Sequence, residues 1–536
     1  MPGRVRALGA ILMRFGTGRT ARVAAIAASI CLLLTLAPGL SAESSVTVSV
    51  STVPTSIKLY RNLYAGATVD TNAADIRPTA DGGAVAVGVT TSPAGYPVGW
   101  VLKLDASGNA QWSEDVGAAF TYPSSVEPTG DGGVVLAGGT QGGSGAVCDP
   151  LSGRECAWVA KLGPGGAVEW QRVYATGTST LQVAWDIRQT TDGGYVVAGG
   201  SGAQTAYGAW VAKLDPAGNV EWQQVFGGTS HLDLANFESV RQTADGGYVA
   251  AGWNTAGYDE SGIQRLSAFV VRFDPIGGVL WETAYTNVDS TEANIGGARA
   301  NAIVQASDGG FLVGGAWTNL ASPVGADFLL LKLHPSGDID WQRAYDGGVR
   351  CFDGYIGRQC TRLGGFIYDV QRSPDGGYLL SGIGHAIEED NPWVQAWLGK
   401  VDPGGNFLWQ NTFFAARTAN AFYGVGATAD GGVVTIGTMA IYEPESIQNA
   451  MYIVKRDPNG NVASCSDVHA GAPLMVLNPS LVLNTPSLPI DAARGSSAPA
   501  AGSSQQTSVR VTGQCGDVVP SPLPPLKPSK RPKKHG

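Results

Sequence analysis

The tripeptide Asp-Gly-Gly recurs seven times, and its regular surroundings restrict the fold more than any other feature of the 536-residue chain. An Ile or Val precedes each Asp by five residues, and a Gly follows each Asp by seven. Asp-Gly between β-branched and aromatic residues is a strong signal for a tight hairpin, because Gly accepts the positive φ that the turn needs. The seven turns start at Asp81, Asp131, Asp192, Asp245, Asp308, Asp375 and Asp430.

A second hairpin follows in each repeat, as in Trp210 to Leu214, the turn Asp215-Pro-Ala-Gly218 and the return through Trp222. Four short strands and two tight turns in each period of roughly 50 to 67 residues are typical of a propeller blade. We therefore predict an all-β fold: a seven-bladed β-propeller of four-stranded antiparallel blades. The recurring Trp of the second hairpin is expected to pack between blades.

The seventh repeat has Ser464 where the other six have this Trp. Residues 57–64 carry Tyr60 and Tyr64 at the spacing of Trp170 and Tyr174. We predict that this N-terminal segment supplies the outer strand of the last blade. Such closure joins the two ends of the ring and removes an open strand edge.

The remaining segments differ in composition from the repeats. Residues 1–42 place arginines before an apolar run and end in Ser-Ala, which predicts an export signal peptide, with an uncleaved anchor as the alternative. The predicted organisation is a signal peptide at 1–42, a linker at 43–56, the propeller at 57–464, a C-terminal extension at 465–517 and a disordered Pro/Lys-rich tail at 518–536. Within the extension, a strand pair is predicted near residues 474–477 and 508–511.

Six cysteines follow the predicted signal peptide, and an even number in an exported chain favours disulfides. Proximity in sequence favours three pairs, the last of which would tie the extension: Cys148 with Cys156, Cys351 with Cys360, and Cys465 with Cys515. The chain has no Cys-x-x-Cys spacing for zinc.

The charge distribution restricts the possible partners. The signal peptide and the tail each hold five Lys or Arg and no acid, so the body keeps 25 of 35 basic residues against 44 acidic ones, a charge of −19. This field repels nucleic acid and anionic membranes and attracts cations or basic partners. We expect an extracellular, cell-surface or periplasmic monomer with no membrane span after signal cleavage.

Repeat length varies in the loop between the two hairpins and in the loop between blades. Both loops emerge on one face of a four-stranded blade, and such loops usually carry binding residues. Their acids make this face a candidate weak calcium site, although they can equally be solvated loop residues: Asp259, Glu260, Glu388, Glu389, Asp390, Glu443 and Glu445.

The inventory for catalysis is thin. The five histidines are scattered, and no nucleophile-elbow, zinc-protease or phosphate-loop motif is present. Carboxylates from distant repeats can still meet at the centre of a ring. Lys161, Lys213 and Lys332 are predicted to lie opposite Glu169, Glu221 and Asp340 as cross-strand ion pairs that fix register.

The alternation of TxDGGYxVAG with WVxKLDxxGNVxWQ over residues 57–464 resembles secreted bacterial and archaeal β-propeller repeat proteins. This resemblance implies the fold and transfers no catalytic residues. LDPAGNVEWQ is also similar to the repeat of pyrroloquinoline-quinone propellers, but the Lys and Thr of that motif are absent, there are seven units rather than eight, and there is no vicinal cysteine pair. No cofactor is therefore expected, apart from calcium.

Three functions are compatible with these observations. The favoured one is a secreted binding scaffold that holds an unidentified protein, peptide or glycan at the variable loops of one face. The alternative is an extracellular hydrolase or lyase with carboxylates near the central channel, and a quinoprotein dehydrogenase is disfavoured. No catalytic residue is assigned.

Overall fold

The structure is a computed structural model, and the residues it describes all belong to one compact unit, Ser56–Gly536. It describes residues 60–65, 71–141, 148, 154–176, 181–203, 206–228, 230, 233–258, 264–287, 297–318, 326–346, 349–354, 357–362, 364–385, 394–413, 421–443 and 446–461, together with seven short strands between 468 and 513. The predicted signal peptide, linker and tail lie outside these ranges.

The described residues form strands and turns, without a helix. One strand precedes the first repeat, β1 (Tyr60–Ala65). Repeats one to four then supply β2 (Asn72–Pro78), β3 (Ala84–Thr91), β4 (Pro97–Leu104), β5 (Ala110–Val116), β6 (Thr121–Pro128), β7 (Val134–Thr140), β8 (Cys156–Leu162), β9 (Val168–Thr176), β10 (Leu181–Gln189), β11 (Tyr195–Ala203), β12 (Ala206–Leu214), β13 (Val220–Gly227), β14 (Ala235–Gln242), β15 (Tyr248–Tyr258), β16 (Gln264–Phe273) and β17 (Val279–Asn287).

The last three repeats continue this order, with an extra hairpin between the fifth and the sixth. Their strands are β18 (Ala298–Gln305), β19 (Phe311–Thr318), β20 (Ala326–Leu333), β21 (Ile339–Asp346), the hairpin β22 (Val349–Gly354) and β23 (Gly357–Arg362), then β24 (Gly365–Arg372), β25 (Tyr378–His385), β26 (Val394–Val401), β27 (Phe407–Phe413), β28 (Ala421–Ala427), β29 (Val433–Glu443) and β30 (Ser446–Arg456).

Each repeat forms one antiparallel blade, and the first strand of each blade is the innermost. The inner strands contact one another in ring order, and β28 of the last blade meets β2 of the first. A buried hydrophobic cluster fills each of the seven interfaces between neighbouring blades. The cluster that joins the last blade to the first includes Trp100 and Ile453, both fully buried. The predicted seven-bladed propeller is therefore confirmed.

The predicted ring closure is also confirmed. Strand β1 pairs with β30, and Tyr60 lies opposite Lys455 while Tyr64 lies opposite Met451. In the second blade, Trp170 lies opposite Lys161 and Tyr174 opposite Ala157. Lys455 and Lys161 are each the next-to-last residue of the third strand of their blade. Tyr60 and Tyr64 therefore occupy the ladder positions that Trp170 and Tyr174 occupy in the second blade, and for which the seventh repeat has no residues of its own.

The Asp-Gly-Gly turns show why these three residues recur. In the third blade Gly193 has φ 83°, and a Cβ on Gly194 would lie 2.3 Å from the carbonyl oxygen of Leu214. The Asp192 carboxylate accepts hydrogen bonds from Thr190 Oγ1 at 2.5 Å and from Gly194 N at 2.9 Å. The first Gly is thus needed for its backbone conformation and the second for lack of space.

A basic residue near the end of the third strand binds the turn Asp in all seven blades. In the third blade Lys213 Nζ lies 2.8 Å from Asp192 and 2.9 Å from Glu221. The predicted ion pairs with Glu169, Glu221 and Asp340 are present, at 3.3, 2.9 and 3.9 Å. Their register differs from the prediction, because each Lys pairs with the recurring Trp and the acid lies within a register shift.

The recurring Trp packs between blades, as predicted. Trp112 Nε1 donates to the carbonyl oxygen of Pro164 in the next blade at 3.0 Å, and Trp281 does the same to Pro335 at 3.1 Å. A Cβ added to the turn residue Gly218 would lie 2.8 Å from the ring of Trp170 in the preceding blade. Each indole therefore covers the turn of its neighbour.

The C-terminal extension does not form the predicted strand pair. Its seven short strands each add to the outside of a different blade. In chain order they are β31 (Val468–Ala470), β32 (Met475–Leu477), β33 (Leu481–Asn484), β34 (Ile490–Asp491), β35 (Gly495–Pro499), β36 (Gln505–Gln506) and β37 (Arg510–Gly513). The two predicted segments fall on different blades, since β32 pairs with β21 and β37 pairs with β1.

These seven strands, here called the belt, pass the blades in the order six, five, four, three, two, one, seven. The belt therefore makes one complete circuit of the ring, opposite in direction to the repeats. Each belt strand pairs antiparallel with the fourth strand of its blade. The belt strand is therefore the fifth strand of that sheet. Because open strand edges invite aggregation, the belt protects part of the edge of every blade.

One predicted disulfide is confirmed. Cys148 and Cys156 are bonded, with Cα atoms 5.7 Å apart and both residues buried. Cys351 and Cys360 lie directly opposite each other in the hairpin of β22 and β23, and their bond stays a prediction. Cys465 and Cys515 lie outside the described residues.

Candidate functional site

The inner strands surround a central channel to which all seven blades contribute, with an empty volume of about 340 Å³ that includes solvent at its open end. In every inner strand the pairing shifts at the same place, just before the buried Ile or Val. In β10 the shift lies between Ala184 and Asp186, so Trp185 is a β-bulge. Because a bulge turns an extra residue, two consecutive side chains of a blade can line the channel.

The Gly that follows the turn Asp by seven residues is explained by this bulge. A Cβ on Gly199 would lie 1.9 Å from the carbonyl oxygen of Val183, and one on Gly252 would lie 1.8 Å from that of Asn236. The same collision occurs in the other five blades, at Gly88, Gly138, Gly315, Gly382 and Gly437. The second strand can thus lie against the bulged inner strand only because it has a Gly, which has no side chain, at this position.

The residues six positions before each turn Asp form the channel ring: Asp75, Ser125, Asp186, Ser239, Ala302, Asp369 and Gly424. Its three carboxylates bind backbone N–H groups of the following blade. Asp75 accepts from Val126 N at 3.1 Å, Asp186 from Val240 N at 2.9 Å, and Asp369 from Val425 N at 3.2 Å. These bonds tie neighbouring blades together.

Arginines two residues further along the inner strands balance these carboxylates. Arg77 bridges Asp75 at 2.9 Å and Asp369 at 2.8 Å. Arg188 and Arg241 both bind Asp186, at 2.9 and 2.6 Å. The three carboxylates are at most 5% exposed. Carboxylates from distant repeats therefore do meet at the centre, but as parts of a buried ionic network.

The pKa values of two carboxyls in this network are shifted in opposite directions. Burial raises the pKa of Asp75 to about 6, because Arg77, its nearest cation, is shared with Asp369. Burial acts on Asp186 too, but Arg188, Arg241 and the Val240 N–H outweigh it and hold its pKa well below the usual range. One guanidinium between two carboxylates leaves a proton-binding site, and two guanidiniums on one carboxylate do not.

The seven bulge residues form a second ring, here called the mouth ring: Ala74, Ser124, Trp185, Glu238, Asn301, Tyr368 and Tyr423. They lie nearer the start of the inner strands than the channel ring does. The inner strands start at the loops between blades, so the mouth ring opens on the face of the variable loops. Trp185 is 40% exposed and Tyr423 is 37% exposed.

Aromatic rings occupy two separate parts of the mouth ring. Tyr368 and Tyr423, from neighbouring blades, have ring centres 5.7 Å apart, and Phe366 stacks on Tyr368 at 6.4 Å. Trp185 comes from the third blade and is hydrogen-bonded to Tyr207, which fixes its indole. The small residues Ala74 and Ser124 separate the two aromatic parts on one side.

Polar groups separate the aromatic parts on the other side. The Glu238 carboxylate accepts a hydrogen bond from Trp253 Nε1 at 3.1 Å and forms an ion pair with Arg299. The Arg299 guanidinium in turn lies 5.7 Å from the centre of the Trp253 ring. Asn301 donates Nδ2 to the carbonyl oxygen of Ile367 at 2.7 Å, which fixes its amide. The mouth thus combines oriented polar groups with exposed rings.

The acids of the predicted calcium site are not brought together by any described contact. Residues 259, 260, 388–390 and 445 lie outside the described residues, and Glu443 is placed only as the last residue of β29. No cluster of three metal-binding side chains occurs in the part of the chain that the structure describes. The calcium site stays a prediction.

Both rings were missed by reasoning from sequence. The sequence does contain a signal for them. The two positions before the recurring Ile or Val differ from repeat to repeat, whereas the residues around them recur. Asp, Glu and Trp at such positions are unexpected in an inner strand. Only the bulge, however, explains why two adjacent residues share one surface.

No protein-family model matches the chain, and no curated protein matches it. The class of protein therefore follows from the fold: a seven-bladed β-propeller closed by its N-terminal strand. This fold is compatible with a binding scaffold or with an enzyme, and it does not by itself choose between them. In the described residues no helix is long and apolar enough to cross a membrane.

Proposed function

We propose that the protein is an exported binding module that holds its ligand on the face of the variable loops, centred on the mouth ring. The observation that carries the proposal is the mouth ring itself. Seven equivalent positions, one per blade, hold seven residues of widely different size and polarity on a rigid scaffold. Rigid scaffolds with variable surface groups are typical of recognition sites.

Export is supported by the residues rather than by the fold. The buried Cys148–Cys156 disulfide fits an oxidising compartment, and the first 42 residues have the pattern of a signal peptide. The resemblance to secreted propeller repeat proteins agrees with this assignment. We infer that the protein acts outside the cytoplasm as a monomer.

The alternative is a hydrolase or lyase that uses the channel carboxylates. The raised pKa of Asp75 favours it, because a carboxyl that holds its proton near pH 6 can act as a general acid. Against it, Asp75 is 5% exposed and its oxygens bind Arg77, Ile76 N and Val126 N. These contacts account for the residue as an internal tie between blades.

A binding screen with turnover analysis tests the proposal. The full chain is incubated with glycan and peptide arrays, with and without millimolar calcium, and bound ligands are recovered and analysed by mass spectrometry. We expect a ligand that is retained chemically unchanged, and a loss of binding when Trp185→Ala and Tyr423→Ala are combined. Cleavage of the ligand that Asp75→Asn abolishes would favour the enzyme and overturn the proposal.

A calcium-dependent rise in the melting temperature would support the predicted cation site on the variable loops. The triple variant Glu388→Gln, Glu389→Gln, Asp390→Asn should then show a smaller rise. An unchanged melt with calcium would leave these acids as solvated charge.

A further inference from the structure

The arrangement of the mouth ring restricts the ligand further, and this inference rests on the proposed function. Round the ring the residues are small at blades one and two, aromatic at blade three, polar at blades four and five, and aromatic at blades six and seven. Two aromatic surfaces therefore flank a space that has polar side chains on one side and the small side chains of Ala74 and Ser124 on the other. A ring-shaped ligand with apolar faces and a polar edge fits such a space.

The aromatic surfaces are held in place before a ligand arrives. Trp185 is fixed by its hydrogen bond to Tyr207, and Tyr423 by its contact with Tyr368. The hydroxyls of Tyr368 and Tyr423 are protonated near neutral pH and can donate hydrogen bonds, and burial raises the pKa of both. Fixed side chains lose little entropy on binding, so less of the interaction energy is spent on ordering the site.

The charge of the polar wall argues for a neutral ligand. Glu238 is the only acid in the mouth ring, and Arg299 already pairs with it. A cation would have to compete with this guanidinium, and an anion would meet the carboxylate. Glu238, Asn301 and Arg299 together still offer both acceptors and donors to hydroxyl groups.

We propose that the mouth ring binds a neutral sugar residue, with its pyranose ring between Trp185 and Tyr423 and its hydroxyls toward Glu238 and Asn301. The C–H groups on a pyranose face provide the apolar surface, and the hydroxyls provide the polar edge. The ligand is one sugar or the end of a glycan, because the side chains that meet it belong to a single ring of seven residues.

The experiment titrates the full chain with the methyl glycosides of glucose, galactose, mannose and N-acetylglucosamine, and follows indole fluorescence and saturation-transfer NMR. We expect at least one sugar to bind in the millimolar range, typical of a single small ring. Trp185→Ala and Tyr423→Ala should each weaken binding at least tenfold, and Trp185→Phe should retain most of it. Tyr96→Ala is the control, because Tyr96 is 47% exposed and does not line the channel.

Every outcome decides the inference. Loss of binding in both alanine variants, with folding confirmed by circular dichroism and with Tyr96→Ala unaffected, supports it. Sugar binding unchanged by Trp185→Ala would place the site elsewhere, and absence of sugar binding would overturn the inference. In both cases the proposed function stands or falls on the array screen alone.

Discussion

At the scale of single residues, the channel separates atoms that hold the ring together from atoms that can meet a ligand. The Asp186 carboxylate receives bonds from Arg188, Arg241 and the backbone of the next blade, and it is buried. Removing one partner of such a group leaves a buried charge, which costs about 3 to 5 kcal/mol. One residue earlier in the same strand, Trp185 is exposed and free to contact a ligand.

Asp75 and Asp186 should give the protein opposite responses to acid. The pKa of Asp75 is about 6 in the folded protein, above its unfolded value near 3.9. The folded state therefore takes up a proton first, and Asp75 makes the protein more stable as the pH falls from about 7 to about 4. Asp186 has a lowered pKa, so its contribution is present above pH 4 and is lost only as the pH falls further.

The test compares thermal melts of the parent, Asp75→Asn and Asp186→Asn at half-unit steps from pH 7.5 to about pH 4. Relative to Asp75→Asn, the parent should gain up to roughly 3 kcal/mol over this interval, because one pKa unit is worth about 1.4 kcal/mol. Asp186→Asn should be less stable than the parent by a constant amount. A parallel course for the parent and Asp75→Asn would mean that Asp75 remains ionised in the fold.

At the scale of strands, each blade depends on side chains from its neighbours. The recurring Trp covers the turn of the next blade, and each hydrophobic cluster belongs to two blades at once. A single blade therefore has no complete core of its own. Strand β1 is the extreme case, since it leaves the start of the chain to complete the last blade.

Replacing Tyr60 and Tyr64 with Ser should weaken the last blade, because these residues take the ladder positions of Trp170 and Tyr174. At the equivalent position of the second blade Tyr174 is 2% exposed, and truncation of a large aromatic residue at such a buried position costs about 3 to 5 kcal/mol. We expect a lower melting temperature and a smaller monomer fraction in size-exclusion chromatography. Tyr96→Ser serves as the exposed control, and equal melts of the double variant and the control would refute the closure role of the tyrosines.

At the scale of the whole molecule, two separate devices close the ring. Strand β1 joins the ends of the propeller as the fourth strand of the last blade, and the belt adds a fifth strand to all seven blades. The belt starts on blade six and ends on blade seven, which are neighbours. Cys465 precedes its first strand by three residues and Cys515 follows its last strand by two.

We predict that Cys465 and Cys515 form a disulfide that turns the belt into a covalent hoop. Closing a loop of about fifty residues contributes about 4 kcal/mol in the chain-entropy estimate. Peptide mapping without reduction should find the pair, and the double Ser variant should melt at a lower temperature.

Removal of residues 518–536 is the control and should leave the melting temperature unchanged, whereas removal of residues 465–536 should expose the blade edges and cause aggregation. Free thiols at both positions in the exported protein would contradict the hoop.

The sequence by itself determined the repeat, the turns and the closing strand. Asp192-Gly-Gly predicts its turn because the φ of Gly193 and the space at Gly194 are local requirements. The four-residue spacing of Tyr60 and Tyr64 predicts β1 because this spacing is a property of one strand and does not depend on its partner strand.

Tertiary structure alone decided the belt, the channel ring and the mouth ring. The belt strands are two to five residues long and pair with strands of other repeats that are distant in the chain, so their own composition carries almost no signal. Asp75, Asp186 and Asp369 are far apart in the chain and meet only because seven inner strands share one axis. A charge, a bulge or an aromatic residue acquires its role here from the neighbouring blades, which no local pattern describes.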